Sequence, residues 1–139
     1  MFTYFIAASE KQIAGMKTIA GVLSHMVKCE PLLGANISLE ALSFLSNVFL
    51  GGAPRMPTQT DYALSDGSTF YLLDRELCRK IATAQHEQLL DASVPWDERA
   101  WQGTNVNRID LAGFLLDLST LCKQTHSQDG TLYVLLSKE

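Results

Sequence analysis

The chain has 139 residues, of which 47% are hydrophobic and 19% are charged, and its formal net charge is −4. This composition is typical of a folded chain and unlike a disordered one, so we expect a single domain over residues 1–139. The acidic balance argues against a nucleic-acid partner, which would require clustered lysine and arginine. No apolar stretch approaches the roughly 20 residues of a membrane helix, so we predict a soluble protein with no membrane partner.

Three cysteines, Cys29, Cys78 and Cys122, are widely spaced along the chain. No pair has the spacing of a thioredoxin motif or a zinc knuckle. An odd number of scattered thiols is typical of a reducing compartment, where each thiol behaves as a small buried apolar group. The sequence therefore predicts a cytoplasmic protein.

The first third of the chain predicts a strand followed by a helix. Residues 1–8 are alternating and apolar, which favours a strand. Ser9 and Gln12 form a capping-box pattern that predicts a helix running toward Lys28. Pro31 is expected to end that helix, because the residue before a proline is disfavoured in helical geometry.

A second helix and a long loop follow. Ser38 is a good N-cap for an apolar helix, and Gly51 and Gly52 are expected to end it. Residues 51–68 are rich in glycine, proline, serine and threonine, which predicts a surface loop. A loop of this length is expected to be functional or mobile.

The next segment predicts a short strand and three helical stretches. Residues 69–73 form the strand, and Asp74 caps the helix that follows. A second stretch covers residues 85–92. Pro95 is expected to kink or restart the chain before a last helical turn at residues 96–101.

The final third predicts a long leucine-rich helix at residues 107–125 and a strand at residues 131–137. The order of elements indicates an α+β fold, in which a small sheet that includes the N- and C-terminal strands is covered by four or five helices. The wide apolar surface of the long helix, including Leu116, also leaves a homodimer interface open.

Three segments resemble an uncharacterised family of small bacterial proteins. They read VPWDERAW at residues 94–101, DLAGFL at residues 110–115 and GTLY at residues 130–133. The resemblance covers about half of the chain. It implies a bacterial origin and a single α+β domain, and it implies no substrate.

Four residues have the types and spacings of a metal site. His25 and Cys29 are four residues apart, and so are Cys122 and His126. On helices each pair would face one way and could supply two ligands of a tetrahedral zinc ion. The alternative is that both cysteines pack in the core, and on balance we predict no metal and no cofactor.

Cys78, His86 and Asp91 are the parts of a nucleophilic site under the loop at residues 51–68. Cys78 also lies on the apolar side of its predicted helix, which favours an inert thiol. The chain has no GxSxG, HExxH or glycine-rich phosphate motif. A small enzyme or ligand-binding domain with a reactive Cys/His pair therefore stays the alternative to a protein without catalytic activity.

The segment from residue 91 to residue 101 combines aromatic and acidic residues. Tryptophan is common at the centre of protein interfaces, and acidic rims steer basic partners. We therefore predict a non-enzymatic protein-binding domain, specifically an immunity-type inhibitor that occludes a basic bacterial toxin or effector. The competing interpretation is that the tryptophans pack in the core and the carboxylates are merely solvated. The predicted contact residues are Asp91, Trp96, Asp97, Glu98 and Trp101.

Overall fold

Within residues 3–28, 33–35, 37–101, 108–127 and 131–137, which the computed structural model describes, five strands form one antiparallel sheet. The spatial order of the strands is β2-β1-β5-β4-β3. Their bounds are Thr3–Ala8 (β1), Leu33–Ala35 (β2), Thr58–Ala63 (β3), Thr69–Leu72 (β4) and Thr131–Leu136 (β5).

The prediction that the sheet includes the N- and C-terminal strands is confirmed. β1 and β5 are antiparallel neighbours at the centre of the sheet, with Phe5 opposite Val134 and Ile6 opposite Tyr133. Successive side chains of a strand point to opposite faces of the sheet. Phe5 and Val134 therefore belong to one buried cluster and Ile6 and Tyr133 to another, so this sheet is covered on both faces.

Six helices in the described part of the chain cover the two faces of the sheet, which confirms the α+β prediction with one or two more helices than expected. The two N-terminal helices pack on one face and the other four on the opposite face. Their bounds are Glu10–Gly15 (α1), Ile19–Lys28 (α2), Leu39–Leu50 (α3), Arg75–Thr83 (α4), His86–Trp101 (α5) and Arg108–Ser127 (α6).

The helix predicted to run from Ser9 toward Lys28 is two helices. The capping box is present, with the Ser9 hydroxyl accepting from the Gln12 amide and the Gln12 side chain accepting from the Ser9 amide. α1 ends because Met16 is extended, and α2 begins after Thr18, whose hydroxyl accepts from the Gly21 amide at 3.1 Å. The predicted stop at Pro31 lies outside the described residues.

The prediction of a surface loop over residues 51–68 is wrong in the middle of that segment. Residues 58–63 form β3, which pairs with β4 at the edge of the sheet. The remaining loop is fixed to its neighbours, because the Arg55 amide donates to the Ser46 hydroxyl at 2.9 Å. The Arg55 guanidinium also pairs with Asp74 and Glu76, each at 3.4 Å.

α5 is one helix, although Pro95 predicted an interruption. Proline in a helix interior has no N–H, so the hydrogen bond to the carbonyl of Asp91 is missing at this point. The helix continues because the turns on either side of Pro95 pack into the core, through Ala92 and Trp96. The sequence also predicts that the last helical turn closes at Gly103, which lies outside the described residues.

Across the part of the chain described above, none of the helices combines the length and the apolar character that a membrane span requires.

Candidate functional site

Trp96 is a core residue. Its side chain is 0% exposed, and its indole N–H donates to the carbonyl of Ala41 on α3 at 2.8 Å. Its ring packs against Phe114 of α6 with a centroid separation of 5.7 Å. In this conformation Trp96 offers no surface to a partner, so the contact role predicted for it is not available. Its effect is to fix α5 against α3 and α6.

The buried side of α5 determines which of its residues face outward. Leu89, Ala92 and Ser93 are buried together with Trp96. Because a helix repeats every 3.6 residues, the positions roughly opposite this set lie on the surface. Trp101 is the last residue of α5, and its side chain lies outside the described residues.

The outward side of α5 is both apolar and acidic. Leu90 and Val94, which are four residues apart, are 37% and 38% exposed and are two of the four large hydrophobic residues exposed in the described part of the chain. Glu87, Asp91 and Glu98 are exposed around them. We call these five residues the α5 outer face.

The carboxylates of the α5 outer face do not form an ion pair with the base on the same helix. Glu87, Asp91 and Glu98 form no ion pair within the part of the chain that the structure describes. Arg99, the base nearest to them in sequence, instead donates to the side-chain oxygen of Asn47 on α3. Asp97, also predicted as a contact, is partly buried.

Cys78 and His86 show no sign of acting as a catalytic pair. Cys78 on α4 is partly buried and contacts Cys122 on α6, and the hydrogen bond between the two thiols, together with burial, raises the pKa of Cys122 well above its usual range. A raised pKa keeps the Cys122 thiol protonated and unreactive near neutral pH. His86 is exposed at the first turn of α5. No hydrogen bond among the described residues joins it to Cys78 or Asp91.

Of the four candidate metal ligands, the two whose side chains are described, His25 and Cys122, lie on opposite sides of the sheet. α2, which carries His25, packs on one face of the sheet, whereas Cys122 is buried in the cluster on the other face. His25 contacts the carbonyl oxygen of Ala7 through its Nε2 atom at 2.9 Å. The Cys29 and His126 side chains lie outside the described residues. Within those residues no group of three or more metal-ligating side chains is present.

Comparison with known proteins identifies no relative: no family model, no curated protein and no solved structure matches the chain.

Three residues of the α5 outer face were not among the contact residues predicted from the sequence, namely Glu87, Leu90 and Val94. The four-residue spacing of Leu90 and Val94 places both on one side of a helix. Because Leu89 lies on the buried side, this spacing predicts a second, exposed apolar side. Because Pro95 predicts an interruption, the residues before it and Glu98 after it are assigned to separate helical stretches. The face that they share on one continuous helix is therefore not recognised from the sequence.

Proposed function

We propose that this chain is a non-enzymatic protein-binding domain and that the α5 outer face is its contact surface. The observation that carries the proposal is the pair of exposed apolar side chains, Leu90 and Val94, surrounded by three carboxylates that form no ion pair with any described residue. Apolar groups surrounded by polar ones are typical of protein interaction sites. Trp96 supports this role from inside, because it holds the helix in a fixed position.

More specifically, we propose that the chain is a cytoplasmic, immunity-type inhibitor that binds a basic bacterial toxin or effector and occludes it. The net charge of −4 and the carboxylates of the α5 outer face support a basic partner. In this mechanism the carboxylates accelerate the approach and set its register, and burial of Leu90 and Val94 slows dissociation. Asp97 and Trp101 stay candidate contacts on the basis of the sequence.

The alternative of a small Cys/His enzyme gains no support from the described residues. Cys78 contacts another thiol, and the loop at residues 51–57 is fixed to its neighbours through Arg55.

The experiment that tests the proposed function is capture of partners from native cell lysate with the tagged full-length chain. We expect one basic protein to be recovered in near-stoichiometric amount at low salt and to be weakened as salt rises, because screening reduces attraction between exposed charges. Mass spectrometry identifies the captured protein. Recovery of the chain alone at both salt concentrations would contradict the proposal.

A further inference from the structure

A groove of about 540 Å³ lies beside the α5 outer face and shares Asp91 with it. The groove runs between the ends of α3 and α4 and the first half of α5. Most of its floor is apolar and partly buried. The floor residues are Val48, Phe49, Ala84, Ala92 and Pro95.

The C-terminal ends of two helices line this groove. Val48 and Phe49 are in the last turn of α3, and Thr83 is the last residue of α4. The C-terminal end of a helix carries a partial negative charge, because its last four carbonyls lack helical partners. Pro95 adds to this, since it cannot donate to the carbonyl of Asp91.

Two charged side chains line the groove. Asp91 and Lys80 are both exposed, and no ion pair joins them. Lys80 is in the last turn of α4, where its charge opposes the partial negative charge of that helix end. The carboxylate of Asp91 and the end of α3 are left to attract a cation.

An apolar floor beside an acidic rim matches a long basic side chain. The aliphatic stem of arginine packs on apolar surface while its charged head stays at the rim. Its planar guanidinium carries five donors in a fixed fork, which matches the two oxygens of the exposed Asp91 carboxylate. Lysine offers a single ammonium and matches this pair of acceptors less well.

We propose that this groove binds an arginine side chain presented by the basic partner. The inference rests on the proposed function and names the chemistry of one partner contact: the arginine stem on Phe49 and Pro95, and its guanidinium on Asp91.

The test is an NMR titration of the ¹⁵N-labelled full-length chain at low salt with N-acetylarginine amide. N-acetylcitrulline amide is the matched control, because citrulline has nearly the same shape as arginine without the charge. We expect saturable shifts at the backbone amides around Thr83 and Asp91, with citrulline binding roughly two- to fivefold more weakly, the range of an exposed ion pair. Equal binding of the two amides, or no saturable shift at these positions, would overturn the proposal.

Variants test the sign of the electrostatic argument. Asp91→Asn should remove most of the preference for arginine over citrulline, whereas Lys80→Met should strengthen arginine binding by roughly twofold because one repulsive charge is lost. Asp117→Asn is the control, since Asp117 is an exposed carboxylate on α6 away from the groove. A response of Asp117→Asn equal to that of Asp91→Asn would also overturn the proposal.

The titration and the lysate capture together distinguish an error in the groove proposal from an error in the proposed function. If a protein is captured from lysate but arginine causes no shifts, the proposed function holds and the groove is not an arginine site. If arginine causes shifts but no protein is captured, the groove binds arginine and the proposed function is wrong.

Discussion

Replacing Trp96 with alanine is expected to lower the free energy of unfolding by about 3–5 kcal/mol, because a fully buried aromatic side chain would leave a cavity. Trp96→Phe should cost less, about 1–2 kcal/mol, since it keeps a ring near Phe114 and loses mainly the hydrogen bond to Ala41. Urea unfolding of the two variants and the parent chain measures both values.

Val94→Ala is the matched control for the Trp96 variants. Val94 is on the same helix but 38% exposed, so its truncation should change the free energy of unfolding by about 0.5 kcal/mol or less. A loss below about 1 kcal/mol for Trp96→Ala would show that Trp96 is not a core residue. The contact role rejected above would then be open again.

Reversing two charges on the α5 outer face should weaken partner binding by about tenfold or more at low salt. In the double variant Glu87→Lys/Glu98→Lys, attraction to a basic partner becomes repulsion at both ends of the helix. The loss should fall mainly on the association rate and should shrink as salt rises. Surface plasmon resonance with the captured partner at two salt concentrations measures both effects.

The control for charge reversal changes net charge by the same amount elsewhere. Asp61 on β3 and Asp117 on α6 are also exposed, and Asp61→Lys/Asp117→Lys alters the overall charge without altering α5. We expect this control to lose much less affinity. An equal loss in both double variants would mean that net charge, rather than the α5 outer face, attracts the partner.

The central part of the fold could be predicted because its signals are local and strong. β1 and β5 are apolar on both faces, and such strands need burial on both sides, which places them at the centre of a covered sheet. The caps at Ser9, Ser38 and Asp74 were also recognisable, because a short polar side chain before an apolar helix bonds to its free amides.

The errors in the fold occur where tertiary packing overrides a local signal. β3 is an edge strand with mostly exposed residues, so it lacks the apolar alternation that identifies a strand. Pro95 does not break α5, because buried residues on either side of it hold both halves of the helix in the core. Neither the strand partner nor the packing is visible from the neighbouring residues alone.

The sequence directs attention to the same helix as the proposed contact surface, but it does not show which side chains of that helix are exposed. The sequence identified the segment from Asp91 to Trp101 and its acidic character. It could not decide which side of α5 is buried, because Trp96 and Val94 are both apolar and differ mainly in what they contact. That decision depends on the contacts of Trp96 with α3 and α6, which are distant in the sequence.

The most direct measurement of the proposed contact surface is carboxyl footprinting of the chain, free and bound to its captured partner. We expect Glu87, Asp91 and Glu98 to lose much of their reactivity toward the labelling reagent in the complex, while Asp61 and Asp117 keep theirs. Unchanged labelling of the three α5 carboxylates, with protection at Asp61 or Asp117 instead, would show that the partner binds a surface other than the α5 outer face.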